Sequence, residues 1–157
     1  VAWLEDERHH DPDTRLLRHD TLLAEIRHLE MLDRQEGRAS EIALLRVTGF
    51  ARFRDKVGRS GAEKTMIALG KALRAALEDS EPAGRIGDGE FLVLLTGLAG
   101  TAAEERVLAL AQAITAEIDS NSDAVELRPG EVAIGQAVLG PREDPTAALA
   151  RADKDAR

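Results

Sequence analysis

Apolar residues at helical spacing open the ordered part of the chain. Leu22, Ile26, Leu29 and Leu32 or Asp33 recur from about Asp20 to Glu36, and Gly37 supplies the residue a helix C-terminus favours. This stripe reads as ordinary packing; it is too short to define a dimer seam. Glu41 to Val47, EIALLRV, predicts a mostly buried strand interrupted by Arg46, and a short helical piece follows through Asp55. Ser60 and Glu63 spell a capping box, and the helix it opens carries Met66, Leu69 or Gly70, Leu73 and Leu77 on one stripe. Gly84 to Leu95 predicts a hairpin turning at Asp88-Gly89, the dipeptide a type I′ turn prefers. Thr101 and Glu104 form a second capping box before Val107, Ala111, Ile114 and Ile118. Ala124–Leu127 and Glu131–Leu139 predict two strands joined at Pro129-Gly130, and Asp144-Pro145 opens a last helix with proline at its first position. Helix, strand, helix, hairpin, helix, strand, strand, helix is an α/β (α+β) order, with helices flanking a mixed central sheet.

Composition narrows the function classes. The 157 residues suffice for one domain with a real core, and no repeat, low-complexity tract or composition break divides them. The longest apolar run, Phe91 to Leu98, is too short to span a bilayer, and the start VAWLEDERHH has neither a basic nor an apolar leader region. Zero cysteines exclude disulfides, thiolate catalysis and cysteine-ligated zinc, which fits a cytoplasmic location. A net charge of −8 argues against non-specific nucleic-acid binding and gives no general attraction to a nucleotide. His9, His10, His19 and His28 lack metal-ligand spacing. GRSGAEKT (58–65) falls short of a phosphate loop, because Glu63 stands where a glycine is needed and would repel phosphate.

Several short motifs then fall in one order. Residues 85–91 read Arg-Ile-Gly-Asp-Gly-Glu-Phe. Asp11, Thr14 and Leu16 fit Asp-x-Leu-Thr-Gly-Leu. LLRVTGFARFRD (44–55) and DKVGRSGAE (55–63) keep Phe50, Asp55 and Gly58 of two further segments. Ile134-Gly135 and Arg151-Ala152-Asp153 complete the series. Together they resemble the GGDEF-type diguanylate cyclase domain from about Asp11 onward. The resemblance implies a nucleotidyl-cyclase-like fold, with an N-terminal linker over 1–19 and a GGDEF domain over 20–157 that is truncated at its C-terminal end. The start at Val1 suggests excision from a longer protein.

The departures fall where that family does its chemistry. The family writes Gly-Gly-Asp/Glu-Glu-Phe, and the resemblance puts its hairpin metal-binding carboxylate at Gly89 and its first metal-binding Asp at Arg46. Its guanine-contacting Asn and Asp align with Arg54 and Glu63, its His with Arg59, and its second motif Gly with Asp88. Its product-inhibition Arg-x-x-Asp aligns with Glu78-Asp79-Ser80-Glu81. Joining two GTP molecules relies on divalent metal to neutralise phosphate, and magnesium takes carboxylate oxygens. The expectation is therefore a degenerate motif (Gly87, Asp88, Gly89, Glu90, Phe91), no catalytic residues, no metal ligands and no cofactor. Arg46, Arg54, Arg59 and Glu63 are the candidate weak nucleotide contacts. Plainer readings stand beside these: Asp88-Gly89 as a turn, Glu90 as an exposed strand carboxylate, Phe91 as core, Glu63 as a cap and the arginines as solvated surface.

The implied function is an inactive regulatory or protein-interaction module of a bacterial cyclic di-GMP signalling protein. The alternatives are an active cyclase with a relocated magnesium site and a GTP receptor without turnover. Expected partners are other domains of a longer chain (a sensor, or an EAL-type phosphodiesterase) and a second copy as a homodimer. GTP or cyclic di-GMP binds weakly or not at all, and no nucleic acid or membrane contact is expected within this segment.

Overall fold

The computed structural model describes residues 9–128 and 132–156. Helix α1 (His19–Gln35) precedes strand β1 (Glu41–Val47), helix α2 (Phe50–Ala76), and the hairpin of β2 (Ala83–Gly87) and β3 (Glu90–Leu95). Helix α3 (Gly100–Ser120), a 3₁₀ turn (Ser122–Leu127), β4 (Val132–Val138) and α4 (Pro145–Asp155) complete the order. The sheet runs β2-β3-β1-β4.

The expected sheet flanked by helices is present, but its four strands pair antiparallel rather than as a mixed sheet. β1 and β2, joined through α2, run parallel yet are not neighbours, because the hairpin folds β3 back between them. β1 likewise lies between β3 and β4, so each crossover is a split βαβ unit. The parallel contact that remains is an isolated bridge, Leu17 to Gly84.

EIALLRV is apolar at nearly every position because β1 is central and buried on both faces. Ala43, Leu45 and Val47 join Phe91, Val93 and Leu95 in a core with α2 and α3, built on Phe53, Met66, Leu69, Leu73, Val107 and Ile114. Ile42 and Leu44 join Leu92 and Leu94 in a second core with α1 and α4, built on Leu22, Ile26, Ala148 and Ala152. The period of two thus assigns every residue of β1 and β3 to a helix layer.

Four local expectations are corrected. First, Ala124–Leu127 is 3₁₀ rather than strand. The Asn121 side chain accepts from the Asp123 amide at 2.9 Å, and Ala124 and Leu127 are buried three apart, with Val125 exposed between them. Second, the Thr101 capping box does not form: α3 begins after Ala99, and its Gly100 amide donates to Glu41 Oε2 at 2.7 Å from β1. Third, the short helical piece and the Ser60 helix are one element interrupted at Gly58, whose φ of 84° and ψ of 167° only glycine holds comfortably. Glu63 there turns to Arg85 instead of back to the helix start. Fourth, the hairpin turn is not type I′, which needs positive φ at both central residues; Gly89 has it (φ 71°) and Asp88 does not. A register shift between Arg85 and Gly87 absorbs the difference.

Residues 9–18, set within a linker by the sequence reading, fold onto the domain. Leu16 enters the first core and Leu17 the second, and the Leu17 amide donates to the Ala83 carbonyl at 3.0 Å. Arg15, at the glycine of the resembled motif, holds a φ of 65°. The expected turn at Pro129-Gly130, and the start of the last strand at Glu131, lie outside the described residues. Among the described residues no helix is long and apolar enough to cross a membrane.

Candidate functional site

The hairpin tip is anchored rather than free. Asp88 is exposed, but Gly89 is buried against the start of α2. Its amide donates to Met66 Sδ at 3.2 Å, and its carbonyl accepts from the Val47 amide at 2.7 Å. A Cβ at Gly89 would lie 2.7 Å from Phe50 Cβ and 2.9 Å from Phe50 Cγ. Phe91 is core, as expected.

Beside the tip opens a cleft of about 780 Å³ lined by Phe50, Arg54, Asp55, Arg59, Ala62, Glu63, Met66 and Asp88. Three of the four candidate nucleotide contacts, Arg54, Arg59 and Glu63, therefore meet in one place, together with Asp88. Two arginines face three carboxylates there, and the carboxylates are largely engaged. Asp88 pairs with Arg54 and accepts from Arg85 at 2.9 Å. Arg85 Nη1 reaches both Glu63 oxygens, at 2.8 and 3.0 Å. Burial pulls the Arg85 guanidinium down, but its bonds to Glu63 and Asp88 outweigh that and raise it above the ordinary arginine value. Arg59 is an exposed residue on the rim of this cleft.

Arg46, the fourth candidate, does not line this cleft. Parity along β1 sets it with Ile42 and Leu44 on the α1/α4 face, away from α2. It is not a solvated surface arginine, being partly buried and paired with two carboxylates. Its Nε and Nη2 donate to Glu90 Oε2 at 3.1 and 3.0 Å, and Nη2 also donates to Asp153 of α4. Burial opposes the charge, yet hydrogen bonds to Asp153 and Glu90 hold the guanidinium above its usual value. Glu90 is correspondingly half-buried and paired, not the exposed strand carboxylate expected.

These contacts bear directly on whether the site suits a metal. Glu90 and Asp153 converge as two ligands would, but on a cation supplied by the chain itself. Gly89 offers no carboxylate and has no room for one beside Phe50. The residues present do not fit a divalent ion.

The segment aligned with the product-inhibition motif is also committed. Glu81 is buried, and Arg106 of α3 grips it with Nε and Nη2, each at 2.6 Å, while Nη2 also reaches the Ala76 carbonyl. That pair, Asp153 as the partner of Arg46, and Arg85 as the bridge between Glu63 and Asp88 have no local signal in the sequence. The partners lie 25, 107 and 22 residues apart and meet only through the sheet register and helix docking.

The family model described as "Diguanylate cyclase, GGDEF domain" matches residues 8–157, and the chain belongs to that family. Among solved structures it is similar to the diguanylate cyclase SiaD of Pseudomonas aeruginosa in complex with its activator SiaC. The identity is 20% and the TM-score 0.82; the match covers 99% of this chain and 59% of that one. The GGDEF domain of DgcB from Caulobacter crescentus, in complex with c-di-GMP, superposes at a TM-score of 0.79 with 18% identity, over 94% of this chain and 87% of that one. The GGDEF domain of TpbB (YfiN) from Pseudomonas aeruginosa does so at 0.73 with 23% identity, over 94% and 86%. No curated protein matches.

Proposed function

We propose that this domain is a catalytically inactive GGDEF domain, acting as a regulatory or protein-interaction module of a cyclic di-GMP signalling protein. One observation carries the reading. Where the resemblance puts a metal-binding Asp, Arg46 holds a guanidinium between Glu90 and Asp153. A cation at that point repels a divalent ion and occupies the carboxylates that would bind it. Gly89 itself supplies no carboxylate, and a side chain there would meet Phe50. On this reading the domain works without magnesium. A homodimer, a sensor or EAL-type neighbour, or an activator as SiaC is for SiaD are the partner types this reading accommodates.

The test is incubation of the purified domain with GTP and magnesium or manganese, read by chromatography for cyclic di-GMP. No product is expected. Product formation abolished by Asp88→Ala would overturn the reading in favour of a relocated metal site.

A non-catalytic GTP receptor is the second reading, favoured by the volume of the cleft and by Arg54 and Arg59 on its wall. Arginine binds phosphate without metal. Because Arg54 is already paired with Asp88, two or three partly offset contacts give micromolar to millimolar affinity at best, from ~1.5–3 kcal/mol each. Calorimetry with GTP, with and without magnesium, separates the readings. Tight binding only with magnesium would revive the enzyme.

A further inference from the structure

Four charged side chains close one corner of the cleft as a chain of ion pairs, Arg54–Asp88–Arg85–Glu63. Arg54 and Glu63 stand on α2, on either side of the break at Gly58. Arg85 stands on β2 opposite Phe91, whose side chain packs toward α2. Strand parity therefore turns Arg85 to the same face, within reach of Glu63. Asp88 is held at the hairpin tip by its neighbour Gly89, which is anchored to Met66 and Val47. Its carboxylate is divided between two cations: Oδ2 pairs with Arg54, and Oδ1 accepts from Arg85 Nη2 at 2.9 Å. A phosphate group makes the same use of two guanidiniums, offering a separate oxygen to each. Counting Arg85, three arginines (Arg54, Arg59 and Arg85) meet three carboxylates (Asp55, Glu63 and Asp88), so this corner carries no net charge. Asp55 lines the same cleft without an ion pair to any of the three arginines among the described residues.

We infer that Arg54 and Arg85 form an anion site for a phosphate-bearing ligand, and that Asp88 masks this site as a built-in competitor. Asp88 is the keystone because it alone touches both arginines; Glu63 reaches only Arg85. The side chains of Arg54 and Asp88 are each 42% exposed, so dissolved anions reach the pair, and an ion pair this exposed is weakly held. A phosphate group carries more charge and more acceptor oxygens than the one carboxylate it must displace, which sets the ligand class as phosphate rather than carboxylic acid. The inference rests, for that ligand class, on the reading of the cleft as a metal-free receptor, and adds to it the residue that holds the receptor shut.

The experiment is isothermal titration with pyrophosphate and with GTP, in EDTA, on the wild-type domain, Asp88→Asn, Asp55→Asn and the double variant Asp88→Asn/Arg54→Gln. Asparagine suits a turn, Asp88 is exposed and Arg85 keeps Glu63, so Asp88→Asn strands no buried charge. Pyrophosphate is expected to bind Asp88→Asn roughly tenfold more tightly than wild type, and the gain to vanish in the double variant. Asp55→Asn removes the same negative charge but frees no arginine, so its gain stays below about threefold through screening solvent. Equal affinity in wild type and Asp88→Asn, an equal gain in Asp55→Asn, or a gain that survives Arg54→Gln would overturn the mask. A gain shared by GTP assigns a nucleotide as the ligand, and a gain for pyrophosphate alone assigns the inorganic anion. GTP also separates the mask from the receptor reading. Wild type that binds no GTP, beside Asp88→Asn that gains pyrophosphate, removes the receptor and leaves the mask. Wild type that binds GTP as tightly as Asp88→Asn keeps the receptor and removes the mask.

Discussion

Replacing Gly89 with alanine tests whether the hairpin position aligned with a metal-binding carboxylate is committed to glycine. Two costs are legible in the structure. Gly89 holds a φ of 71°, and an L-residue there costs about 1–2 kcal/mol. The added Cβ would lie 2.7 Å from Phe50 Cβ and 2.9 Å from its Cγ. Phe50 has little room to retreat, being buried at the start of α2 with its ring 5.5 Å from that of Phe53. Overpacking of this kind costs about 1–3 kcal/mol, for a total of roughly 2–5 kcal/mol. Urea denaturation is the assay: the midpoint falls by roughly 1–2 M with an unchanged slope. In a Phe50→Ala background the Cγ contact disappears, so Gly89→Ala costs less there, and a double-mutant cycle reports the difference as coupling. A midpoint equal to wild type would refute the reasoning, as would a cost independent of Phe50. The contact with Phe50 applies equally to Gly89→Asp, whose side chain begins with the same Cβ.

Two further predictions concern buried charge. Glu81→Gln removes a carboxylate that is 5% exposed and gripped at two points by Arg106, leaving that partly buried guanidinium its bond to the Ala76 carbonyl but no charged partner; allowing for the partial exposure of Arg106, a loss of about 2 kcal/mol is expected in urea denaturation. Cyclic di-GMP should leave the melting temperature of the wild-type domain unchanged, since no arginine stands in the Glu78–Glu81 segment; a saturable upward shift lost in Glu81→Gln would contradict this. Glu25 on α1 is 1% exposed with no hydrogen-bond partner for Oε2 among the described residues, and burial raises its pKa above 4.5, with His28 a lesser opposing influence. A carboxyl raised in the folded state binds more protons there than in the unfolded chain, so stability falls as pH climbs from about 4.5 through the raised value. Glu25→Gln should therefore raise the melting temperature at pH 7 more than at pH 4.5; an equal shift at both would show that Glu25 is not the titrating group.

The one-dimensional pattern determined much of this protein. The helix over 22–32, the apolar strand EIALLRV, the hairpin at Asp88-Gly89 and the proline-initiated last helix each follow from spacing or turn chemistry, which are local properties. So did the family, because the spacing of short motifs survives when individual letters change. Tertiary structure decided what those letters do. Arg46, Arg54 and Arg59 look equivalent as neighbours in sequence, but strand parity sends Arg46 to the α4 face while α2 carries the other two to the cleft. Glu90 and Asp153 become partners of Arg46 only when β3 registers on β1 and α4 docks on β4. Glu41 caps α3 across 59 residues of sequence, and Arg106 neutralises Glu81 across 25. Ion pairs and caps of this kind need two surfaces brought together, and no single segment carries the signal for both.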